Sequence, residues 1–409
     1  MRILMIAPEP FFEPRGTPFS EYHRIRALTE LGHEVDLVTY PFGEPVSMPG
    51  LRIFRSLRPP FVHRVKIGPS LAKVPLDLLL TLTVVRRVIA DRYDAIHSHE
   101  EGGVIGAALA IVLGIPHLYD MHSSLPQQLT NFAFSGSRIL RGFFGIIERF
   151  MVRRSKVVIV VCPSLEDTVR TIDPHAQSVL IENAAGSMDD AATPAQAKGV
   201  RTSLGVGAET PLVVYTGTFE AYQGLDLLFA AMALVRRVRP DARLVLAGGK
   251  PDQVLVARAR ADAAGPSEAV IFAGERPASE IPAYLAASDV LVSPRSRGTN
   301  TPLKIYQYLR AGKPIVATRL LTHTQVLSDS TAILTDATPQ HFAEGILAAL
   351  TDRPRASAIG NNARELANTK YSYEAYLERT RKACAALRAP VETMTVAGAA
   401  AAAHEEKQP

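Results

Sequence analysis

Residues 293–318 read SPRSRGTNTPLKIYQYLRAGKPIVAT, an order of residue types that fits an anion site. Gly298 and the polar run Thr299-Asn300-Thr301 form a loop, and Pro302 is predicted to open a helix with Asn300 or Thr301 as its N-cap. Leu303, Tyr306 and Leu309 recur at helical spacing, Gly312 closes the helix, and Ile315-Val316-Ala317 is an apolar strand. A glycine loop entering a helix offers backbone N–H groups and a positive dipole end to an anion. Arg295, Arg297 and Lys304 add charge around it, which points to a phosphate or pyrophosphate. The alternative is an ordinary strand–loop–helix unit with a basic surface.

Other chemistry-bearing residues fall at predicted strand ends. Ala95–His97 runs into His97-Ser98-His99-Glu100, and Ile115–Tyr119 runs into Asp120-Met121-His122. The spacing of His97 and His99 resembles a metal pair, but the two rings are read as pointing to opposite sides of an extended chain, so joint ligation is not expected. Gly16-Thr17 lies on the loop after the first strand, Arg2–Ala7. Later loops carry Gly217 to Gly224, Gly248-Gly249 and Gly274-Glu275-Arg276. Lone histidines and glycines are often purely structural, so each carries weight only through the elements that position it.

Those elements alternate. Strand Arg2–Ala7, helix Ser20–Leu31 and strand Glu34–Thr39 make a βαβ unit, which implies a parallel sheet whose carboxyl edge receives ligands. A second alternating series begins at Leu212, after a weakly patterned stretch from Asn183 to about 208. The chain thus divides into residues 1–185, residues 186–388 and a low-complexity tail, 389–409, with the last helices possible partners of the first domain. At 47% hydrophobic residues it can fill two cores, and its two cysteines fit a reducing cytoplasm rather than a disulfide framework. No apolar run reaches about 18 residues, and the start, MRILMIAPEP, lacks the features of a signal peptide. The net charge of +5 admits nucleic acid or an anionic membrane as partner, but no nucleic-acid recognition motif is present.

Several segments together carry a family resemblance: Arg15-Gly16-Thr17, Gly32-His33-Glu34-Val35, His99, His122, Asn183, Gly217 to Gly224, Leu246-Ala247-Gly248, Phe272-x-Gly274, Ala287-x-Asp289-Val290 and Ala311-Gly312-x-Pro314-Ile315-Val316-Ala317. The chain resembles the retaining glycosyltransferases of family 4, over almost all of its length to about residue 388. The resemblance implies an α/β GT-B fold, two Rossmann-like domains facing each other across a cleft. It implies an acceptor-side first domain and a second domain that binds a nucleotide-sugar. It makes His122 the histidine facing the donor sugar, and puts Gly16 and Thr17 near donor phosphates and acceptor, with Arg15 and His99 on the acceptor side. Gly217, Thr218, Gln223, Gly248, Arg276, Arg295, Thr299, Thr301, Pro302, Leu303, Lys304 and Gln307 would line the donor site, the amides of Thr301 and Leu303 cradling the diphosphate. No cofactor and no metal are expected.

The sequence departs from the family at two pairs of positions. Two glutamates usual in the opening segment are Thr299 and Gln307, and the arginine and lysine that usually clamp the pyrophosphate are Thr218 and Gln223. Arg295, Arg297 or Lys304 could replace the lost charge. A catalytically silent protein that binds a sugar nucleotide or a partner is therefore the alternative to an enzyme. The segment 52–73 is basic with interleaved apolar residues, and 136–154 reads as a basic amphipathic helix; these could place the protein at the inner membrane face, with a glycan or lipid-linked acceptor. The competing reading buries Phe143, Ile146, Ile147 and Phe150 against the sheet.

Overall fold

The computed structural model describes residues 1–13, 16–63, 65, 70, 73–127, 137–184 and 192–389. Arg15, the boundary at 185–186 and the tail beyond Ala389 lie outside the described residues.

The first seven strands are β1 (Arg2–Ala7), β2 (Glu34–Thr39), β3 (Leu51–Arg55), β4 (Ala95–His99), β5 (His117–Met121), β6 (Val157–Val160) and β7 (Ser178–Leu180). They form one sheet in the order β3-β2-β1-β4-β5-β6-β7, with every pairing parallel. The next six are β8 (Leu212–Thr216), β9 (Arg243–Ala247), β10 (Val270–Gly274), β11 (Val290–Ser293), β12 (Ile315–Thr318) and β13 (Ile333–Thr335). They make a second parallel sheet, β10-β9-β8-β11-β12-β13. Runs such as LVVYT and VLVS are buried at every residue, as strands covered by helices on both faces must be. In both sheets the strand order reverses beside the first strand of the series, between β1 and β4 and between β8 and β11. That is where open parallel sheets leave a crevice at their carboxyl ends.

Several boundaries differ from the sequence reading. β3 lies inside the proline-rich basic segment, where alternate residues Arg52 and Phe54 are drawn into pairing with β2. β4 continues to His99. β5 starts at His117, because Gly114 closes the preceding helix in a left-handed conformation, φ 64°, and Pro116 follows. The helix α1 spans Gly16–Glu30 and so begins at Gly16 rather than at Ser20. Pro302 does not open the phosphate-side helix. That helix spans Lys304–Ala311 with Leu303 at its N-cap and no side-chain cap.

The helix Tyr373–Arg388 returns to the first domain. Its Tyr376, Ala383 and Leu387 pack with Ala27, Leu118, Val157 and Ile159, and Cys384 packs with Ile3, Met5 and Ala7. The end of the described chain therefore covers one face of the first sheet, directly behind the strand ends that carry the histidines.

Candidate functional site

Parallel pairing sets His99 opposite Asp120, so the ends of β4 and β5 bring their polar residues side by side. Asp120 is fully buried and accepts from Arg24 Nε on α1 at 2.8 Å. His97 Nε2 lies 3.4 Å from one oxygen of Asp120, and His122 Nε2 lies 3.4 Å from the other. His99 Nδ1 is 3.1 Å from His122 Nε2. The rings of His97 and His99 stack at 4.8 Å, which corrects the expectation that they diverge: residues two apart on a strand share a face. His97, His99 and Asp120 bring three donor atoms within 4.8 Å of one another, a spacing that could ligate an ion, but the guanidinium of Arg24 already occupies Asp120.

Burial lowers the pKa of His97, His99 and His122, so the three imidazoles are neutral near pH 7. Burial alone would raise Asp120, but the Arg24 guanidinium holds it well below the ordinary range, as an anion. Arg24 in turn donates to Thr380 Oγ1 at 3.2 Å and lies over the Tyr376 ring, so the helix Tyr373–Arg388 buttresses the cluster. His122 Nε2 thus meets Asp120 and His99 within the first domain, and its backbone carbonyl accepts from Asn300 of the second.

Glu21, also on α1, sits beside His99 at 3.9 Å and next to Glu9. Burial, with Asp120 adding, pushes Glu21 up to about 8.

In the second domain, Lys304 is buried with Nζ 3.7 Å from the centre of the Tyr215 ring and 3.3 Å from Gln223 Oε1. Gln223 stands where the resemblance expects a lysine, and Lys304 brings an ammonium group to that position from the opposite element. The half-buried Thr218 accepts weakly from Gln223 Nε2 at 3.5 Å. Arg295 lies over the Tyr222 ring and donates to the Asn300 carbonyl at 2.8 Å and to Thr322 Oγ1 at 3.1 Å. Burial lowers the pKa of both cations, and Arg295 lowers Lys304 further. Among the described residues neither forms an ion pair.

Glycines let backbone approach backbone here. A Cβ on Gly248, at φ 133°, would lie 2.0 Å from the Gly217 carbonyl oxygen. A Cβ on Gly217, at φ 129°, would meet Lys304 Nζ at 3.1 Å. Thr301 is buried with its hydroxyl unpartnered, Pro302 is buried, and Leu303 and Gln307 are half-buried on the same turn and the next. Arg276 is exposed and reaches Glu280 at 3.9 Å. Arg297 is exposed. Gly16 has φ 52° and starts α1, with Thr17 behind it.

The two halves touch. Asn300 Nδ2 donates to the His122 carbonyl at 2.5 Å, and Thr299 Oγ1 donates to Gln127 Oε1 at 3.0 Å. Sequence reasoning missed Arg24, Glu21, Cys162 and Gln325 as parts of this arrangement. Arg24 and Glu21 sit on a helix of unremarkable amphipathicity, and nothing local marks them as buried.

Residues 22–184 match the glycosyl transferase 4-like domain and residues 200–366 match glycosyl transferases group 1. The two models match consecutive parts of the chain, and with the fold they support a GT-B glycosyltransferase. Sulfoquinovosyl transferase of Arabidopsis thaliana is 26% identical over 77% of this chain, which spans 59% of that protein. A phosphatidyl-myo-inositol mannosyltransferase of Propionibacterium freudenreichii is 24% identical over 82% of this chain and 81% of its own. Among solved structures, sucrose-phosphate synthase of Thermosynechococcus elongatus has a TM-score of 0.77 at 20% identity, covering 94% of this chain and 98% of that one. HepE of Anabaena in complex with UDP has 0.73 at 19%, covering 94% and 100%.

The raised carboxyl of Glu21 gives a pH test. In the folded protein it holds its proton up to about 8, whereas an unfolded glutamate ionises near 4.5. Its stabilising contribution is thus full below the unfolded value and lost as pH rises toward about 8. Glu21→Gln should therefore gain melting temperature relative to the parent as pH rises from about 5 to about 8. A difference that stays flat across that range would contradict the assignment.

Proposed function

We propose that the chain transfers a sugar from a nucleotide-sugar donor to an acceptor hydroxyl with retention of configuration. The observation that carries this reading is the buried Lys304 with the half-buried Arg295 near it, neither of which has an acid partner among the described residues. A buried, unpaired cation is costly, and an anion that enters beside it recovers that cost. Gly217 brings its backbone up to the Lys304 ammonium without a side chain between them, and the helix Lys304–Ala311 starts there with no side-chain cap. Relatives named as sugar transferases, and a neighbour solved with UDP, support a nucleoside diphosphate as that anion.

In the transfer, the bond between the sugar and the diphosphate breaks, the acceptor oxygen bonds to the sugar on the same face, and its hydroxyl proton passes to the leaving diphosphate. Negative charge grows on the leaving phosphate. Lys304, Arg295 and the helix amides stabilise it from fixed positions, which is where electrostatic catalysis gains most. With that charge supplied by side chains, no metal is required by this scheme. The Asp120–His122–Arg24 cluster holds the wall facing the sugar rigid, with His99 behind it on the acceptor side.

Thr299 and Gln307 cannot supply the carboxylates usual at their positions, which favours the second reading, a silent protein that binds a sugar nucleotide. One series separates the two. UDP, GDP or ADP at millimolar concentration should raise the melting temperature. Incubation with the matching nucleotide-sugars should release nucleoside diphosphate, and His122→Ala should cut that release by about two orders of magnitude while keeping the thermal shift. A thermal shift without turnover would favour the silent reading, and no shift with any of the three would end both.

We further propose a lipid-linked or other envelope acceptor presented at the inner membrane face. The support is a single side of the first domain. Leu78, Leu82 and Ile89 stand exposed along the helix Lys73–Ala90, and Ile139, Phe143 and Ile146 along the helix Arg138–Arg154, the latter flanked by exposed Arg141 and Arg149. Phe144, Ile147 and Phe150 pack inward, so this helix is both core-facing and basic outside. The segment 52–73 contributes less charge than its sequence implies, because Arg52 pairs with Asp36 and Lys73 with Glu101, while Arg55 keeps its charge but is tied to the carbonyls of Phe42 and Glu44. Arg64 and Lys66 lie outside the described residues. Among the described residues no helix is long and apolar enough to cross a membrane. The protein should sediment with anionic vesicles at low salt and be released at high salt. Retention in the supernatant at low salt would point to a soluble acceptor.

A further inference from the structure

Hydrogen bonds between the two domains concentrate on one short loop. Asn300 Nδ2 donates to the His122 carbonyl at 2.5 Å, and the Cys162 thiol donates to Asn300 Oδ1 at 3.9 Å. Gln325 accepts from the Ser164 amide at 2.9 Å and donates to the Thr299 carbonyl at 2.6 Å. On its own side the loop is braced by Arg295 and Thr322, both of which donate to the Asn300 carbonyl, at 2.8 and 2.5 Å. A continuous path therefore runs from Arg295 through the Asn300 backbone and carboxamide to the backbone of His122.

We propose that Asn300 is a positioning residue and that Asn300 and Gln325 together latch the cleft, so that an anion held at Arg295 and Lys304 fixes where His122 stands. The proposal rests on the reading of this cleft as the transfer site. An aspartate at position 300 would keep the shape but lose the donor to His122. The latch also covers Cys162, which is buried at the end of β6, whereas Cys384 is buried on the far face of the first sheet. Opening the cleft exposes the first thiol and leaves the second covered.

The test compares the parent with Asn300→Ala and Gln325→Ala. Labelling of Cys162 by a small maleimide, mapped by mass spectrometry, should accelerate about tenfold or more in both variants, with Cys384 unchanged. Gln325 bonds the amide of Ser164, whose hydroxyl lies beside the Cys162 thiol, so its variant leaves the thiol's own hydrogen-bond partners Ser164 and Asn300 in place. This readout needs no donor and stands even if no sugar is transferred. Where turnover is measurable, Asn300→Ala should lower kcat by about tenfold or more while the dissociation constant for nucleoside diphosphate changes less than about threefold. Asn300→Asp should behave like the alanine variant. Parent-like labelling of Cys162 in Gln325→Ala, or equal acceleration of both cysteines, would overturn the latch. A loss of nucleoside-diphosphate binding in step with kcat would overturn the positioning role.

Discussion

A buried lysine and a half-buried arginine, without a counter-charge among the described residues, are the constraint around which the second domain is arranged. Lys304 and Arg295 come from opposite sides of one loop, and aromatic faces rather than carboxylates receive them. Cation–π contact offsets part of the desolvation but leaves the site positively charged. The loop, the glycines that approach backbone to backbone, and the N-terminus of the helix Lys304–Ala311 all present the same sign of potential to one point. A structure that only needed stability would place an acid there. One that binds and releases a diphosphate needs the acid absent.

The first domain solves the opposite problem. It buries several carboxylates and histidines and must satisfy them internally. Arg24 neutralises Asp120, and the helix Tyr373–Arg388 holds Arg24 through Thr380 and Tyr376. This ties the end of the chain to the wall of the cleft. The histidines stay neutral under this burial, so the wall presents dipoles and a fixed carbonyl rather than titrating charge. The two domains thus divide the chemistry: positive charge on one side, rigid polar orientation on the other.

Much of this was legible in sequence. The alternation of apolar runs and glycine loops gave the two parallel sheets, because buried parallel strands read as continuous hydrophobic segments. Gly217 and Gly248 were legible as glycines following strand ends, at the sheet edge that receives a ligand. What was not legible depends on contacts distant in sequence. The sequence offers Arg295, Arg297 and Lys304 alike for the lost charge, and that Lys304 is the one beside Gln223, 81 positions away, shows only in the fold. The burial of Arg24 and Glu21 follows from a covering helix more than 340 residues later, which no local pattern announces. The charge of segment 52–73 reads too high in sequence because local composition records Arg52 and Lys73 but not the distant acids, Asp36 and Glu101, that pair with them. The spacing of His97 and His99 was misread in direction, since strand side chains repeat every two residues.

The central claim is that the unpaired cation at position 304 exists to meet the donor diphosphate. Calorimetric titration of the nucleoside diphosphate into the parent and into Lys304→Met, with the ligand-free melting temperature of each, tests it most directly. Methionine keeps the apolar stem and removes a buried, unmatched charge. The account predicts that the variant melts higher without ligand and binds the diphosphate about tenfold or more weakly. A variant that melts lower and binds as well as the parent would contradict it.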